Sequence, residues 1–266
     1  MAASSLTRSL KKRLRRIRRF AATAAGAGRK AELHALRIEL KRWRAHLRLL
    51  RAADPAFPYP EVYAPFKKLF AQAGLLRFWQ LQGDYLRRWP GAAPAFTRAY
   101  RAYLNRRRGE ARASLRAAAR ARLPRWRDLK REIRQSAARC TPETVLDYFD
   151  TLRQTINRLQ HHPTRRHPTQ LHELRKTLKE YANNRPLAAR HMGIEPGAPA
   201  ATPPDFDRLL GQWHDADAAC AQLAVDLREQ GWTPEELVGG RKVLKQWRME
   251  EIRLWRDVVR GIETGR

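Results

Sequence analysis

The side chains best placed to do chemistry are bases at helical spacing. In the segment 33–51 the series His34, Arg37, Lys41, Arg44, Arg48, Arg51 steps by threes and fours, and so does the apolar series Leu33, Leu36, Leu40, Trp43, Leu47, Leu50. Such spacing places each series on one stripe of an α-helix. A helix turns by ~100° per residue, so the basic stripe lies beside the buried one. Its side chains flank a packed seam instead of pointing into bulk water. Arg51 lies 17 residues after His34, about 25 Å along a helix rising 1.5 Å per residue. A ladder of cations that long can follow an extended polyanion. Arginine suits phosphate oxygens because its planar fork makes two parallel hydrogen bonds and sheds water more readily than an ammonium.

The same constellation recurs. Leu33-His34-Ala35-Leu36-Arg37-Ile38-Glu39-Leu40-Lys41 matches Leu171-His172-Glu173-Leu174-Arg175-Lys176-Thr177-Leu178-Lys179 at an offset of 138, with six of nine positions identical. Shared leucine spacing is common to amphipathic helices. A shared His, Arg and Lys beside the leucines points instead to two homologous halves meeting near residue 140. Weaker basic stripes run through Arg8, Lys12, Arg15 and Arg19, through Arg108, Arg112, Arg116 and Arg120, and through Arg241, Lys245 and Arg248. A solvated charged face is the competing explanation for each stripe, and a structural role the competing one for His34 and His172.

Other chemistry is thinly represented. The phosphate-loop, dinucleotide, nucleophile-elbow and H-E-x-x-H patterns are absent, and no cofactor is implied. His161, His162 and His167 cluster in a Pro- and Arg-rich stretch without an acidic or Cys partner, which favours adventitious metal binding over a built site. Trp213-His214-Asp215-Ala216-Asp217 holds the one plausible acid/base or metal cluster; the preferred reading is that Asp215 pairs with an arginine and fixes its direction. Trp43, Trp213, Trp247 and Trp255 fall on apolar stripes and read as core, not as platforms for stacked bases.

The elements that must position these residues are helices. Periods near 3.6 predict them at roughly 5–20, 30–51, 60–72, 75–88, 95–121, 124–138, 142–160, 168–184, 204–229 and 234–261, and strand signals are nearly absent. Thr141-Pro142 and Thr233-Pro234 read as N-caps followed by Pro at the first helical position, and Pro186–Pro204 as a mobile loop. The chain has 266 residues and carries 55 Lys and Arg against 26 Asp and Glu, a net charge of +29. Residues 1–140 hold 36 of the bases and 8 of the acids, residues 141–266 the remaining 19 and 18. Self-repulsion on that scale calls for a polyanionic partner. Cys140 and Cys220 are far apart and read as ordinary thiols of a reducing compartment. No run approaches the ~20 apolar residues of a membrane span. The expectation is a soluble, cytoplasmic protein.

The doubled His-x-x-Arg-x-x-x-Lys helix resembles the CHAD family, the conserved-histidine α-helical domain. Leu33–Arg51 is similar to the first family helix, Leu171–Tyr181 to the second, and Leu210-Gly211-Gln212-Trp213-His214-Asp215 to the family's Leu-Gly…Asp segment. The first half departs from the pattern, because Gly74-Leu75-Leu76-Arg77-Phe78 has no acid where the family's Asp belongs. The resemblance implies an all-α fold of two homologous helical bundles, residues 1–140 and 141–266, related by a pseudo-two-fold axis with a basic groove or cavity between them. It also implies binding of inorganic polyphosphate and association with polyphosphate granules. The E-x-E-x-K signature of the CYTH triphosphatase domain often fused to such chains is absent, so the expectation is a stand-alone binding module and not an enzyme. On this reading Arg37, Lys41, Arg44, Arg48, Arg175 and Lys179 contact phosphate, His34 and His172 donate to a phosphate oxygen or hold a neighbouring base in place, and the weaker stripes hold longer chains. Two other readings stand beside it. One is non-specific RNA or DNA binding, which this charge favours at low salt; the other is a phosphohydrolase or polyphosphate-processing enzyme using His214, Asp215 and Asp217 with Mg2+.

Overall fold

The computed structural model describes residues 2–26, 29–88, 93–121, 123–160, 168–199 and 205–264. Among these residues there are nine helices and no strand: α1 (Ala2–Gly26), α2 (Lys30–Ala53), α3 (Tyr59–Arg88), α4 (Pro94–Arg120), α5 (Trp126–Ala138), α6 (Pro142–Gln160), α7 (Pro168–Met192), α8 (Phe206–Glu229) and α9 (Pro234–Thr264). Four of them begin on Pro, whose fixed φ suits the first helical position and whose missing N–H would be unpaired there anyway. The two threonine caps form. Thr141 Oγ1 accepts from Thr144 N–H at 3.4 Å, and Thr233 Oγ1 accepts from Glu236 N–H at 3.2 Å while Glu236 Oε2 accepts from Thr233 N–H at 2.8 Å.

Two predicted breaks do not occur. Segments 60–72 and 75–88 are one helix, α3, with Gly74 in its interior. Ala73 and Leu76 on either side of it are buried, in line with Phe66 and Leu69, and burying that continuous face outweighs the ~1 kcal/mol that a helical Gly costs. Pro186 does not open a loop but lies inside α7, which runs on to Met192 because Leu187 and Ala188 are buried beyond it. The stretch 193–199 is irregular, and the rest of the expected loop, 200–204, lies outside the described residues.

The chain divides into two compact units, and each draws on both halves of the sequence. One comprises Met1–Arg77, Ala111–Arg158 and Lys176–Pro199; the other comprises Phe78–Glu110, Leu159–Arg175 and Ala200–Arg266.

In the first unit α1 packs on α2 and α5, and α2 on α5. Leu6, Leu10, Leu14 and Ile17 of α1 face the buried row Leu33 to Leu50 of α2, and the Trp43 ring meets Phe66 at 5.5 Å between centroids. Each such side chain contributes about 1.5–3 kcal/mol when fully buried. Two polar side chains taken inside, Asp54 and Asn184, find partners on other elements. Asp54, at the end of α2, accepts from Ser136 Oγ at 2.7 Å and Arg139 Nη1 at 2.8 Å. Asn184 of α7 donates to the Ala45 carbonyl at 3.1 Å and to Tyr148 Oη at 2.7 Å, which ties α7 and α6 to the back of α2.

In the second unit α8 packs along α9, with Trp213, Leu223, Val243 and Trp247 in the seam. Gly239 of α9 allows the chain near Phe96 to approach closely, since a Cβ there would fall 2.7 Å from Ala93 Cβ and 3.0 Å from Phe96 Cβ. Phe96, Tyr100, Tyr103 and Trp232 then cluster around Asp226, which is 1% exposed.

Candidate functional site

The first copy of the His-Arg-Lys pattern lies on α2 in the first unit, and the face it forms is completed by α3. Positions 63, 70, 74 and 77 of α3 recur at helical spacing, and the side chains there meet the basic stripe. The guanidiniums of Arg37 and Arg44 lie over the Phe70 ring, 5.5 and 5.3 Å from its centroid. Such cation–π contacts contribute about 0.5–1 kcal/mol at exposed sites and fix the direction of an otherwise mobile side chain. Gly74 leaves room for Arg37, because a Cβ at that position would sit 3.0 Å from Arg37 Nη1. Arg77 completes the row beside His34. Partial burial, together with Arg77, Lys41 and Arg37, holds the His34 imidazole below its ordinary range, so at neutral pH it is a neutral N–H donor among cations. Tyr63 meets Arg44 at the other end; its hydroxyl is pushed up by burial despite that guanidinium.

Further along α2 the stripe changes role. Arg48 pairs with Glu180 of α7, and Glu180 also accepts from Tyr148 Oη at 2.9 Å. Against burial, which pushes it down, Glu180 and Tyr59 hold the Arg48 guanidinium above its usual value. Arg51 donates to the carbonyls of Pro55 and Phe57 and so closes the loop after α2. The ladder thus divides: His34, Arg37, Lys41 and Arg44 lie along the stretch completed by Phe70 and Arg77 of α3, and Arg48 is engaged by a carboxylate.

The second copy has a different environment. In the second unit His172 Nε2 lies 3.2 Å from Asp217 Oδ2, and its ring meets Trp213 at 5.0 Å and His214 at 4.9 Å. His214 Nδ1 is 3.3 Å from Asp215 Oδ1. Asp215 thus faces an imidazole, not the arginine that its sequence neighbourhood suggested. Arg175 buries its Nε without a hydrogen-bond partner among the described residues, and Lys179 is half-buried. One repeated motif therefore carries two electrostatic settings. The first histidine sits among Arg77, Lys41 and Arg37, the second against a carboxylate. No group of three or more His, Cys, Asp or Glu is placed to hold a metal ion among the described residues, and His161, His162 and His167 lie outside them.

The weaker stripes divide. Arg8, Lys12, Arg15 and Arg19 are all exposed along α1. On α4, Arg112 and Arg120 are exposed, whereas Arg116 donates to the carbonyls of Ala25 and Gly26 at 2.9 and 3.3 Å and caps the C-terminus of α1. In the second unit Arg108 donates to the Leu104 carbonyl at 3.3 Å and to Asn105, while Arg241 and Lys245 of α9 are exposed.

The family model of the CHAD domain matches residues 8–224, most of the chain and both copies of the motif. The chain belongs to the CHAD family. Among solved structures, the crystal structure of the CHAD domain from the plant Ricinus communis aligns with this CHAD chain at a TM-score of 0.71 and 16% identity, covering 99% of this chain and 92% of that one. At that identity the likeness carries the fold. No curated protein matches the chain. No helix among the described residues is long and apolar enough to cross a membrane.

Phe70, Gly74 and Arg77 were not among the residues expected at the site from sequence. The spacing that finds them was present: they fall at i, i+4 and i+7, within or next to the segment that departs from the family pattern. Arg77 stands close to the missing acid, so in this CHAD domain the departure adds to the positive field around His34.

Proposed function

We propose that this CHAD domain binds inorganic polyphosphate along the basic face of α2 and through it associates with polyphosphate granules in the cytoplasm. The observation that carries the reading is the set of aimed cations: Arg37 and Arg44 over Phe70, Lys41 between them, and neutral His34 beside Arg77. Polyphosphate offers about one charge per phosphate and no bases, so it calls for closely spaced guanidiniums that make charge-assisted hydrogen bonds and not for stacking platforms. Trp43, Trp213 and Trp247 are fully buried and offer no such platform. The face carries cations and a neutral imidazole, an arrangement for holding phosphate, and we assign the domain as a binding module without hydrolase activity.

The test is a competition titration at ~0.15 M salt between labelled long-chain polyphosphate and RNA of matched charge. The expected result is preference for polyphosphate by tenfold or more, about 1.4 kcal/mol, together with a rise in the His34 pKa as the bound polyanion offsets its cationic neighbours. Even competition by RNA would reassign the face to non-specific nucleic-acid binding.

Gly74→Ala separates site from scaffold. Alanine in a helix interior is favoured over glycine by about 0.5–1 kcal/mol, so the melting temperature holds or rises. The new methyl makes the Arg37 guanidinium give by a few tenths of an ångström, and polyphosphate affinity falls roughly threefold, a loss of about 0.7 kcal/mol. Thermal melts and titrations on the same preparation check both halves; unchanged affinity would remove Arg37 from the site.

A further inference from the structure

A second basic site lies on the opposite flank of α2. At ~100° per residue, Glu39, Arg42 and His46 fall on the far side of the buried leucine row from Arg37, Lys41 and Arg44. There the first unit forms an open pocket of about 320 Å3, whose wall includes Arg13, Arg16, Arg42, His46, Arg190 and His191. Glu39 is the carboxylate beside it. Arg13 Nη1 donates to Glu39 Oε2 at 2.6 Å, while Arg16 and Arg42 stand 3.7 and 3.8 Å from Oε1 and remain about half exposed. Three guanidiniums thus share one carboxylate, and the fourth, Arg190, has no acidic partner among the described residues. His191 is held by Ser5, with Oγ 2.8 Å from Nδ1.

Two buried atoms of this wall, Arg13 Nε and His46 Nδ1, have no hydrogen-bond partner among the described residues. Buried polar groups of folded proteins are nearly always paired, and unpaired atoms on the wall of a basic pocket are places where a water or an ion completes them. Their chemistry is unlike. Arg13 Nε is a donor and wants an anion. His46 is 1% exposed and its Nε2 donates to the Asn183 carbonyl at 3.3 Å. Burial and the nearby Arg13 push its pKa down to about 3, so the ring is neutral and Nδ1 presents a lone pair, which wants a proton donor. A fully ionised oxyanion such as sulfate serves the guanidiniums and leaves an oxygen facing that lone pair. An oxyanion carrying one hydroxyl serves both.

We propose that this pocket binds a phosphate group that retains one hydroxyl, with P–OH donating to His46 Nδ1 and the remaining oxygens accepting from Arg13 Nε and the guanidiniums of Arg42 and Arg190. Free hydrogen phosphate and the end group of a phosphate chain share that chemistry; the internal phosphates of a chain lack it. The site is separate from the α2 face that carries the polyphosphate reading and does not depend on it.

The test follows the imidazole resonances of His46 and His191 in the 15N-labelled full chain, with calorimetry, during titration with orthophosphate, linear tripolyphosphate, cyclic trimetaphosphate and sulfate. The expected result is a saturable shift of His46 by orthophosphate, by tripolyphosphate or by both, with sulfate and the end-free ring at least tenfold weaker. The double variant Arg42→Gln, Arg190→Gln, both at solvent-exposed positions, weakens that binding tenfold or more. Orthophosphate binding identifies free phosphate as the ligand, and response to tripolyphosphate alone identifies a chain end. Equal binding of sulfate, equal binding of trimetaphosphate, no saturable shift of His46, or an unaffected double variant would each overturn the proposal. Long-chain polyphosphate binding, titrated separately on a variant of the α2 face, keeps a failure here distinct from a failure of the polyphosphate reading.

Discussion

Replacing Arg37, Lys41 and Arg44 together by Gln lowers affinity for long-chain polyphosphate at ~0.15 M salt by at least about 100-fold. Hydrogen bonds to charged groups contribute about 1.5–3 kcal/mol each, so three lost contacts amount to more than 4 kcal/mol if nothing compensates. A flexible polyanion does compensate, because the domain carries a net charge of +29 and the chain can settle on other bases; a residual loss of about 2.7 kcal/mol corresponds to the hundredfold figure. The fold survives, since all three side chains are partly exposed and none belongs to the buried leucine row. The control is a second triple variant, Arg127→Gln, Lys130→Gln, Arg134→Gln, which removes the same charge from exposed positions of α5 in the first unit, outside every basic stripe. Titration of both by anisotropy or calorimetry decides the matter. If the control loses as much as the test variant, net charge governs binding and the aimed face does not.

The largest expected effect on stability comes from Asp226→Leu, about 3–5 kcal/mol. The carboxylate accepts from Tyr100 Oη at 2.8 Å, Tyr103 Oη at 2.9 Å and Gln222 Nε2 at 2.8 Å, and Trp232 Nε1 donates to the residue's backbone carbonyl at 2.8 Å. Removing the acceptor leaves buried donors unpaired at about 1–3 kcal/mol apiece. Burial and the Asp226 charge push the Tyr100 hydroxyl well above its ordinary pKa, and the same causes with the hydrogen bond push Tyr103 up to about 12. Both therefore remain donors across the usable pH range. Denaturant unfolding with an unchanged m-value measures the loss as a shift in midpoint. Tyr100→Phe and Tyr103→Phe, added to Asp226→Leu, recover part of the stability, because removing both partners of a buried hydrogen bond is milder than removing one. If that combination is less stable than Asp226→Leu alone, the hydroxyls are held by something other than Asp226.

What the sequence disclosed and what it withheld follow from the range of the interactions. Helices, threonine caps and the buried rows are local, and spacing reveals them: Leu33 to Leu50 is buried as the period requires. Gly74 and Pro186 mislead because local propensity opposes the helix there by roughly one to three kcal/mol, while tertiary burial of Leu76 and Leu187, invisible from the neighbourhood, decides it. The site divides in the same way. His34, Arg37, Lys41 and Arg44 lie on one stripe as their spacing predicts, but the pairing of Arg48 with Glu180 joins residues 132 positions apart. The buried His46 escaped notice because it belongs to the row of Glu39 and Arg42, where a carboxylate among bases reads as an ordinary charged surface. The likeness of the two nine-residue segments likewise concealed that one histidine neighbours Arg77 and the other Asp217, since those partners come from other helices.

The fully buried state of Trp43, Trp213 and Trp247 has an optical consequence. Indole emission responds to the polarity around the ring; Trp43 and Trp247 pack against Phe66 and Tyr85, and Trp213 packs against His172 with its Nε1 donating to Glu251, all of them closed to a ligand on the outer face of α2. Their fluorescence is an indicator of unfolding, with a red shift when the seams open to water, and is nearly silent toward an arriving anion. The rings that report occupancy are the imidazoles, so this molecule separates, by wavelength and by nucleus, the signal of being folded from the signal of being occupied.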